Sequence, residues 1–383
     1  MNVPKLRFKE FNDEWIETKI QNVATVIGGG TPSTDEPKYW GNEINWFTPS
    51  EIGKTKYVTI SNRKISQDGL NNSSAKLLPK GTILLSSRAT VGEASILLNE
   101  ASTNQGFQSL IVNENNCNEF IYYLKYKYKR EMLIKSFGST FLEISKSNVE
   151  NIKIKIPSKE EQFMIANFLS LLDKKIELQS KKIEDLKLFK LELKERLFKM
   201  FETDQKDLGD ILIKWNKKNK DNIYNYVESV SNKYGFIAQN EQFEDRTIAS
   251  NDTKNYYVIE KGVFAYNPSR LNVGSLALKE NDKVSLVSPL YECFTTNQNN
   301  NFLYEWFNSK EFKKGTISKF EGGVRNTLNF TNLCKIKINL PSLENQNKIS
   351  NLLNLYNNLI NLENMKLSKL NTLKTGLMQN MFV

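Results

Sequence analysis

The sequence has 383 residues, enough for two or three domains with buried cores, and no apolar run approaches the ~18–20 residues that a membrane span needs. It contains no histidine, which excludes Ser-His-Asp and Cys-His catalytic sites and histidine-ligated zinc. The formal net charge is +10, and so basic a balance favours a polyanionic partner, of which nucleic acid is the usual one.

The three cysteines, Cys117, Cys293 and Cys334, lie far apart and form no C-x-x-C pair. This spacing indicates neither a disulfide framework nor a cysteine zinc site. Charged residues follow the N-terminal methionine, so we expect no secretory signal. The sequence therefore predicts a cytoplasmic protein with no bound metal and no membrane contact.

The first 156 residues carry short β-branched and aromatic runs, separated by turns rich in Gly, Pro, Asn and Ser. A short helix is expected to open at Phe120. These features predict a mixed α/β domain dominated by antiparallel strands. The predicted strands are Asn22–Ile27, Ile44–Phe47, Lys56–Ile60, Thr82–Leu85 and Gln108–Val112.

Pro157 introduces a long segment, running to about Met200, whose apolar residues recur at alternating steps of three and four. This is the a/d rhythm of a coiled coil. A helix of about 40 residues would reach about 60 Å at 1.5 Å per residue. The same rhythm follows Pro341 and runs to about Phe382.

The two long segments superimpose without a gap at an offset of 184 residues, the difference between Pro341 and Pro157. We predict that the helices pack together, antiparallel because a whole domain lies between them. Packing against another subunit is a compatible alternative. The residues expected in the seam are Ile165, Leu169, Leu172, Ile176, Ile183, Leu186, Leu193, Leu197, Ile349, Leu353, Tyr356, Ile360, Leu367, Leu370, Leu377 and Met381.

The segments that precede the helices also repeat, more loosely. Lys80-Gly81 corresponds to Lys261-Gly262, Arg88 to Arg270, and Phe120 to Phe302, where a second short helix is expected. The predicted fold class is therefore α+β, with two similar mixed α/β domains, two long antiparallel helices as a coiled-coil spacer, and an internal pseudo-two-fold repeat. The predicted boundaries are 1–156 and 204–340 for the domains, and 157–203 and 341–383 for the helices.

Several short motifs follow one another in a fixed order along the chain, and the second half carries weaker counterparts of some of them. They are Gly28-Gly-Gly-Thr31-Pro32-Ser33, Gly81-Thr-Ile-Leu-Leu-Ser86-Ser87-Arg88, Thr103-Asn104-Gln105-Gly106-Phe107, Phe141-Leu142-Glu143-Ile144-Ser145, Pro157-Ser158, Asn267-Pro268-Ser269-Arg270 and Pro341-Ser342. In this order and duplication the sequence resembles the specificity (S) subunit of type I restriction-modification systems, over essentially its whole length.

The resemblance implies two target recognition domains, each of which reads one half of a split site in double-stranded DNA. It implies that two modification subunits, which bind S-adenosylmethionine and methylate adenine, assemble with the chain. Restriction subunits that use ATP and Mg²⁺ would complete the nuclease. The chain itself would then hold no cofactor and no active site. The second domain matches the family pattern less closely than the first.

In the first domain, Arg88 follows a strand and is suited to guanine or a phosphate, and Asn104 and Gln105 are suited to adenine. The glycines before Thr31 are compatible with a phosphate cradle or with a plain turn. Ser86 belongs to the Arg88 motif, and Trp40 is expected in the core. The DNA-binding candidates of this domain are Thr31, Ser33, Thr34, Lys38, Tyr39, Ser86, Arg88, Asn104 and Gln105.

In the second domain, Arg270 occupies the position that matches Arg88, and a polar loop with two glycines precedes Arg325. The candidates of this domain are Gln239, Asn240, Ser269, Arg270, Asn272, Arg325 and Asn326. Two other protein classes remain as alternatives. One is a helical scaffold that assembles partners without reading DNA, and the other is a stand-alone methyltransferase or nuclease.

Overall fold

The computed structural model describes residues 3–136, 142–200, 205–232, 235–238, 252–271, 274–317, 319 and 327–383. The chain divides into two compact units. The first unit comprises Met1–Ser180 and Lys366–Val383, and the second comprises Lys181–Met365. Each unit therefore contains one mixed α/β domain and one stretch of each long helix.

The first unit opens with strands and short helices and continues into the central helix. Its strands are β1 (Ile16–Lys19), β2 (Ala24–Gly28), β3 (Trp40–Phe47), β4 (Tyr57–Val58), β5 (Arg63–Ile65), β6 (Ile83–Leu85), β7 (Ala94–Leu97), β8 (Ser102–Thr103), β9 (Gln108–Val112) and β10 (Lys153–Ile156). Its α-helices are α1 (Ile20–Val23), α2 (Gln67–Asn71), α3 (Asn118–Tyr123), α4 (Lys125–Ile134), α5 (Lys146–Glu150) and the beginning of the central helix α6 (Lys159–Lys199). Single 3-10 turns lie at Pro37–Tyr39 and Pro49–Glu51.

Strand β6 lies inside the main sheet of the first unit, whose strand order is β2-β9-β6-β7-β4. Successive side chains of a strand point to opposite faces. Ile83 and Leu85 accordingly pack in the core that contains α3 and the start of α6, whereas Leu84 packs in a second core with Phe47 and Phe107. Burial on both faces explains why this strand has no alternating polar residue. A smaller sheet, β5-β3-β8, completes the domain.

The second unit has the same kinds of element. Its strands are β11 (Gln205–Asp207), β12 (Leu212–Lys214), β13 (Glu228–Ser231), β14 (Gly235–Ala238), β15 (Tyr257–Ile259), β16 (Phe264–Tyr266), β17 (Leu276–Leu278), β18 (Ser285–Val287), β19 (Glu292–Thr296) and β20 (Lys337–Asn339). Its helices are a 3-10 turn at Leu208–Asp210, α7 (Asn300–Phe307), α8 (Lys310–Ile317), α9 (Phe330–Cys334) and the beginning of the C-terminal helix α10 (Leu343–Asn380).

The two units share one topology, which confirms the predicted repeat. The order β12-β19-β16-β17 in the second unit corresponds to β2-β9-β6-β7 in the first, and the antiparallel pair β11-β20 corresponds to β1-β10. The helices α3 and α7 begin two residues before Phe120 and Phe302, close to where the sequence predicts them. The fold class is therefore the α+β class expected from the sequence.

Two glycines at matched positions have the same backbone conformation in both units. The φ angle is +88° at Gly81 and +89° at Gly262, a region in which a side chain is strained. A Cβ atom at either position would lie 3.2 Å from an asparagine Nδ2, of Asn118 in one unit and of Asn300 in the other. The repeat thus extends to the backbone conformation of single residues.

The two long helices pack together and run antiparallel, as predicted. In the first unit Lys374 Nζ lies 2.6 Å from Asp173 Oδ1, and in the second Lys182 Nζ lies 3.0 Å from Glu363 Oε1. The helices span Lys159–Lys199 and Leu343–Asn380, slightly less than the predicted segments. All sixteen residues expected in the seam are buried or half-buried. Fully buried among them are Ile165, Leu169, Ile183, Ile349, Leu353 and Met381.

A buried glutamine attaches the central helix to the recognition domain. The Gln162 amide oxygen accepts a hydrogen bond of 2.9 Å from the backbone N–H of Cys117, the residue before α3. Its amide nitrogen donates to the Pro157 carbonyl at 3.1 Å and to the Asn116 side chain at 2.9 Å. Each polar atom of the side chain is therefore satisfied, which a buried amide requires.

Gln346 repeats these bonds at the start of the C-terminal helix. Its oxygen accepts from the Asn299 N–H at 3.1 Å, and its nitrogen donates to the Pro341 carbonyl and to the Gln298 side chain, both at 2.9 Å. The recurring proline and glutamine thus have one structural function. They join the first turn of each long helix to the N-terminus of a short helix.

Replacing Gln162 or Gln346 by leucine is expected to lower the free energy of unfolding by about 1–2 kcal/mol, because a buried N–H and a buried carbonyl lose their partners. Urea denaturation of the full chain would measure the loss. Gln67→Leu, at an exposed position, is the control and should change stability by less than about 0.5 kcal/mol. Equal effects at all three positions would contradict this role.

In the parts of the chain that the structure describes, no helix is both long and apolar enough to cross a membrane. The same residues include no group of three or more Cys, Asp or Glu side chains arranged to hold a metal ion. All three cysteines are free thiols.

Candidate nucleic-acid interface

The glycine-rich loop after β2 packs closely against the segment that contains Asn104. The Gly30 N–H donates to the Thr103 carbonyl at 2.9 Å, and the Gly30 carbonyl accepts from Trp46 Nε1 at 2.9 Å. A Cβ atom on Gly29 would lie 2.0 Å from the Asn104 carbonyl oxygen. The glycines therefore permit close backbone packing. Since the Gly30 N–H is already used, it is not available to a phosphate in this conformation, which favours the plain-turn interpretation of this loop.

The loop and the Asn104 segment bring together candidate residues that are distant in sequence. Thr31 Oγ1 donates to Gln105 Oε1 at 2.5 Å. Asn104 is partly committed, because its side-chain oxygen accepts the Gly106 N–H at 2.9 Å. The exposed candidates of this surface are Thr31, Ser33, Thr34, Lys38 and Gln105, with Asn104 and Tyr39 half-buried.

Trp40 connects this surface to an arginine that the sequence analysis did not select. Trp40 Nε1 donates to the Ser33 carbonyl at 3.0 Å, and the Trp40 ring meets the Trp46 ring edge-on with centroids 5.1 Å apart. The guanidinium carbon of Arg63 lies 3.6 Å from the centre of the Trp40 ring. Trp40 is half-buried rather than fully in the core, and it supports an exposed cation.

The Arg63 guanidinium is held in place on this surface, and its N–H groups are free to donate hydrogen bonds to a ligand. Among the described residues, no carboxylate pairs with its guanidinium and no hydrogen bond uses its N–H groups. Stacking on an aromatic ring limits the motion of the side chain and leaves its donor fork free. We call Arg63, Trp40, Ser33, Thr31 and Gln105 the stacked-arginine surface. A lone arginine at the start of a short strand gives no signal in a single sequence.

Arg88 has a different environment from the one expected. Its Nη2 lies 2.6 Å from Glu143 Oε2, and its Nε donates to the same oxygen at 3.1 Å. Both side chains remain about 40% exposed, at 43% and 42%. An exposed pair of this kind contributes little stability and can exchange partners. Arg88 can therefore offer its whole donor fork to a base or a phosphate only after it leaves Glu143.

Ser86 requires a correction. Its side chain is fully buried, and its hydroxyl donates to the Arg88 carbonyl and pairs with Thr90 Oγ1, both at 3.0 Å. A side chain without exposed surface cannot reach DNA in this conformation. Ser86 instead fixes the turn that carries Arg88. The prediction of a DNA contact at Ser86 is wrong.

In the second unit, Ser269 and Arg270 lie exposed in a turn after β16. The Asn267 side-chain oxygen accepts the Ser269 N–H, and its carbonyl accepts the Arg270 N–H, both at 3.0 Å. The Leu328 N–H anchors the turn through the Pro268 carbonyl at 3.1 Å. The other candidates of this domain lie outside the described residues, namely Gln239, Asn240, Asn272, Arg325 and Asn326.

Two lysines of the second unit that are not among the predicted candidates pack on tyrosine rings. Lys218 Nζ lies 3.5 Å from the centre of the Tyr257 ring, and Lys283 Nζ lies 3.2 Å from that of Tyr226. The run from Trp215 to Lys220 contains three lysines in six residues, which is a sequence signal of a basic patch. Cations beside aromatic rings suit contact with a nucleic-acid backbone and its bases.

Comparison with known proteins gives a family match in both halves of the chain. The family model described as type I restriction modification DNA specificity domain matches residues 12–188 and 200–372. The MjaIX type I restriction enzyme specificity subunit of Methanocaldococcus jannaschii is 41% identical over 193 residues, which are 49% of this chain and 45% of that protein. The EcoR124I/EcoR124II specificity subunit of Escherichia coli is 28% identical over 175 residues, which are 44% and 43%. The chain thus spans about half the length of these curated relatives.

Two solved structures have a similar fold along nearly the whole chain. The type I restriction-modification S subunit from M. genitalium matches with a TM-score of 0.56 at 18% identity, covering 100% of this chain and 99% of that one. A chain from a structure of type I R-M complex assembly and conformational transition matches with a TM-score of 0.61 at 15% identity, covering 96% and 97%. At such identities the likeness concerns the fold.

Proposed function

Because this chain belongs to the type I restriction modification DNA specificity domain family, we propose that it is a sequence-specific DNA-binding specificity subunit that reads a bipartite target. One observation carries the proposal. The two regions that match the family model fall on the two halves of the structural repeat. Two similar domains in one chain suit a site made of two separate half-sites, one for each domain.

Charge and surface chemistry support DNA as the ligand. The net charge of +10 favours attraction to the phosphate backbone. In the first unit the stacked-arginine surface combines a free guanidinium with exposed hydroxyl and amide groups. Such groups bond to base edges in the major groove. Arg270 and the lysines beside Tyr257 and Tyr226 are the corresponding candidates in the second unit.

The assembly that we propose includes two modification subunits and, in the complete nuclease, restriction subunits. The long helices support protein partners, since large apolar side chains along them are exposed. Contiguous exposed apolar surface is typical of interaction sites. Those exposed by more than half of their surface are Leu171, Leu178, Leu188, Phe189, Leu343, Leu355, Leu362, Met365 and Leu373.

Catalysis in this proposal belongs to the partners. S-adenosylmethionine, ATP and Mg²⁺ would bind the modification and restriction subunits, and this chain would direct them to the target. The lack of histidine supports a non-catalytic chain, because histidine is the usual proton carrier near neutral pH. The three free cysteines fit a reducing cytoplasm.

The decisive experiment is methylome sequencing of DNA from cells that carry this chain together with its modification partner. We expect methylated adenines within one split motif, with two short specific halves and a non-specific gap. Cells that carry the partner without this chain provide the control and should lack the motif. A continuous motif, or one that persists in the control, would refute the proposal.

Binding of the purified chain to duplex DNA is expected to weaken steeply with salt. The logarithm of the binding constant should fall with log [salt] by about 0.9 for each phosphate contacted. Fluorescence anisotropy at several salt concentrations would measure the slope. A helical scaffold that does not read DNA would show no target-dependent binding at any salt concentration.

If the paired helices set the gap between half-sites, shortening both of them should shorten the gap. Deleting residues 175–178 and 368–371 removes four residues from each helix and retains the Asp173–Lys374 and Lys182–Glu363 pairs. The helices become about 6 Å shorter. At about 3.4 Å per base pair, the methylated motif should lose one or two base pairs from its gap. An unchanged gap would contradict the spacer role.

A further inference from the structure

Each unit contains a surface groove at the same position of the repeat. In the first unit it has a volume of about 1200 Å³ and lies beside Tyr122 of α3 and the central helix. In the second unit it has about 770 Å³ and lies beside Tyr304 of α7 and the C-terminal helix. The long-helix residues that line the two grooves correspond at the offset of 184, for example Asp173 and Asn357. We call the groove of the first unit the first groove and that of the second unit the second groove.

The first groove is rich in lysine and tyrosine. Lys56, Lys125 and Lys374 line it together with Tyr57, Tyr122 and Tyr126. Tyr57 and Tyr126 are exposed, by 38% and 53% of their surface, so that parts of aromatic rings face solvent. The groove is larger than the ~300–1000 Å³ typical of small-molecule pockets, and therefore large enough for a nucleotide.

Three of the six lysines that line the first groove have a carboxylate partner. Lys129 Nζ pairs with Glu93 at 2.5 Å, and Lys374 Nζ pairs with Asp173 at 2.6 Å. Lys56 Nζ donates to Ser170 Oγ at 2.6 Å and lies 3.5 Å from Glu119. Of the three lysines that remain, Lys54 and Lys174 are exposed, and Lys125 is half-buried in the groove wall.

Lys125 has only neutral partners among the described residues. Its Nζ contacts the Tyr122 hydroxyl at 3.1 Å and the Ala94 carbonyl at 3.5 Å, and lies 4.2 Å from the centre of the Tyr122 ring. Burial lowers the pKa of Lys125 to about 8, partly offset by Glu93. A half-buried ammonium without a direct ion-pair partner beside a groove favours the entry of an anion.

The second groove differs in its chemistry although its position is the same. Asn354, Asn357, Asn358 and Asn361 of the C-terminal helix line it. Its lysine, Lys279, is buried against Glu228 and so carries no free charge into the groove. Identical partner subunits on the two halves would favour similar grooves. The first groove therefore offers an anion a lysine that no described carboxylate pairs with, whereas the lysine of the second groove is already paired.

From the size of the groove and the half-buried Lys125 ammonium, which has no carboxylate partner in the described part of the chain, we propose that the first groove binds a phosphate-bearing anion of nucleotide size. Lys125 holds the phosphate, and the exposed tyrosine rings contact the organic part. The phosphate has two possible sources, a free nucleotide or one nucleotide of a DNA strand. The site stands on the groove itself and not on the stacked-arginine surface, so the two can be tested separately.

The test is calorimetric titration of the full chain with inorganic phosphate, with AMP and with a short duplex. We expect saturable binding of AMP with one site per chain, and a loss of at least tenfold in Lys125→Met. Lys127→Met removes the same charge from an exposed position of the same helix and should bind as the unaltered chain does. If only the duplex binds, and binds tenfold more weakly in Lys125→Met alone, the phosphate comes from DNA.

A second measurement needs no variant. In the unaltered chain, affinity for the bound probe should fall several-fold between pH 7 and pH 9, since a neutral amine no longer attracts the anion. The charged groups that face Lys125 are Glu93, Lys129, Asp173 and Lys374, and they pair with one another. A flat pH profile, equal losses in both lysine variants, or no saturable binding of any of the three probes would overturn the proposal.

Discussion

Replacing Arg63 by alanine is expected to weaken binding of the full chain to its target duplex by about 10- to 100-fold. A bidentate contact between arginine and a base contributes about 1–3 kcal/mol of discrimination. Arg63 is already stacked 3.6 Å from Trp40, so little conformational freedom is lost when it binds. Fluorescence anisotropy with the target duplex and with a scrambled duplex would measure the effect.

Two control variants test whether the loss of DNA binding is specific to the Arg63 guanidinium. Arg130→Ala removes an exposed arginine of α4 and should weaken binding no more than about threefold, as a surface charge would. Arg63→Lys keeps the charge but not the planar donor fork, and should fail to restore target binding. Equal losses for the target and the scrambled duplex would show that Arg63 contacts phosphates and reads no base.

Replacing Lys279 by methionine is expected to lower the free energy of unfolding of the second unit by about 3–5 kcal/mol. The Lys279 side chain is fully buried and forms an ion pair with Glu228, which is 5% exposed. Removal of the lysine leaves a buried carboxylate without a counter-charge, and breaking one side of such a pair costs about this much. Denaturation followed by the near-ultraviolet signal would measure the change.

The control is Lys261→Met, because Lys261 pairs with Asp282 at the surface, where both side chains are more than half exposed. That change should cost less than about 0.5 kcal/mol. The double variant Glu228→Leu/Lys279→Met should recover most of the stability, since an apolar pair replaces both charges. A double variant as unstable as Lys279→Met would show that packing and not charge is responsible.

The Lys279–Glu228 pair also bears on recognition. Glu228 lies in β13, which pairs with β14, and the candidates Gln239 and Asn240 follow β14 directly in the chain. The buried pair therefore fixes the hairpin that leads to them. We expect Lys279→Met to weaken reading of the second half-site and to leave the first half-site unaffected.

The repeat, the long helices and the fold class followed from the sequence because each depends on periodicity. Steps of three and four at Ile165, Leu169 and Leu172 specify a helix face whatever the tertiary contacts are. The duplicated Pro-Ser and Gln positions gave the offset between the halves. The structural role of Gln162 could not be predicted from the sequence, because its hydrogen-bond partner Cys117 lies 45 residues away along the chain.

The DNA-binding candidates were less predictable because their availability depends on tertiary contacts. Arg88 looked free until the fold placed Glu143 beside it, 55 residues along the chain. Ser86 looked like part of a polar loop, but the turn places it inside the domain. Arg63 gained its significance only from stacking on Trp40, and a stacking partner leaves no periodic trace in a sequence.

The polar contacts of the long helices have a consequence for how such chains diversify. Lys374 meets Asp173 in the first unit, and the matched lysine, Lys190, meets Glu305 in the second at 2.6 Å. Asp173 belongs to a long helix and Glu305 to a short one. Each half of the chain therefore supplies its own carboxylate to a lysine at the matched position of the other half's long helix. Recombination that exchanges one half for the other would therefore preserve an oppositely charged contact at both places. A recombined gene would then encode a chain with a new pair of DNA targets that keeps these lysine–carboxylate contacts.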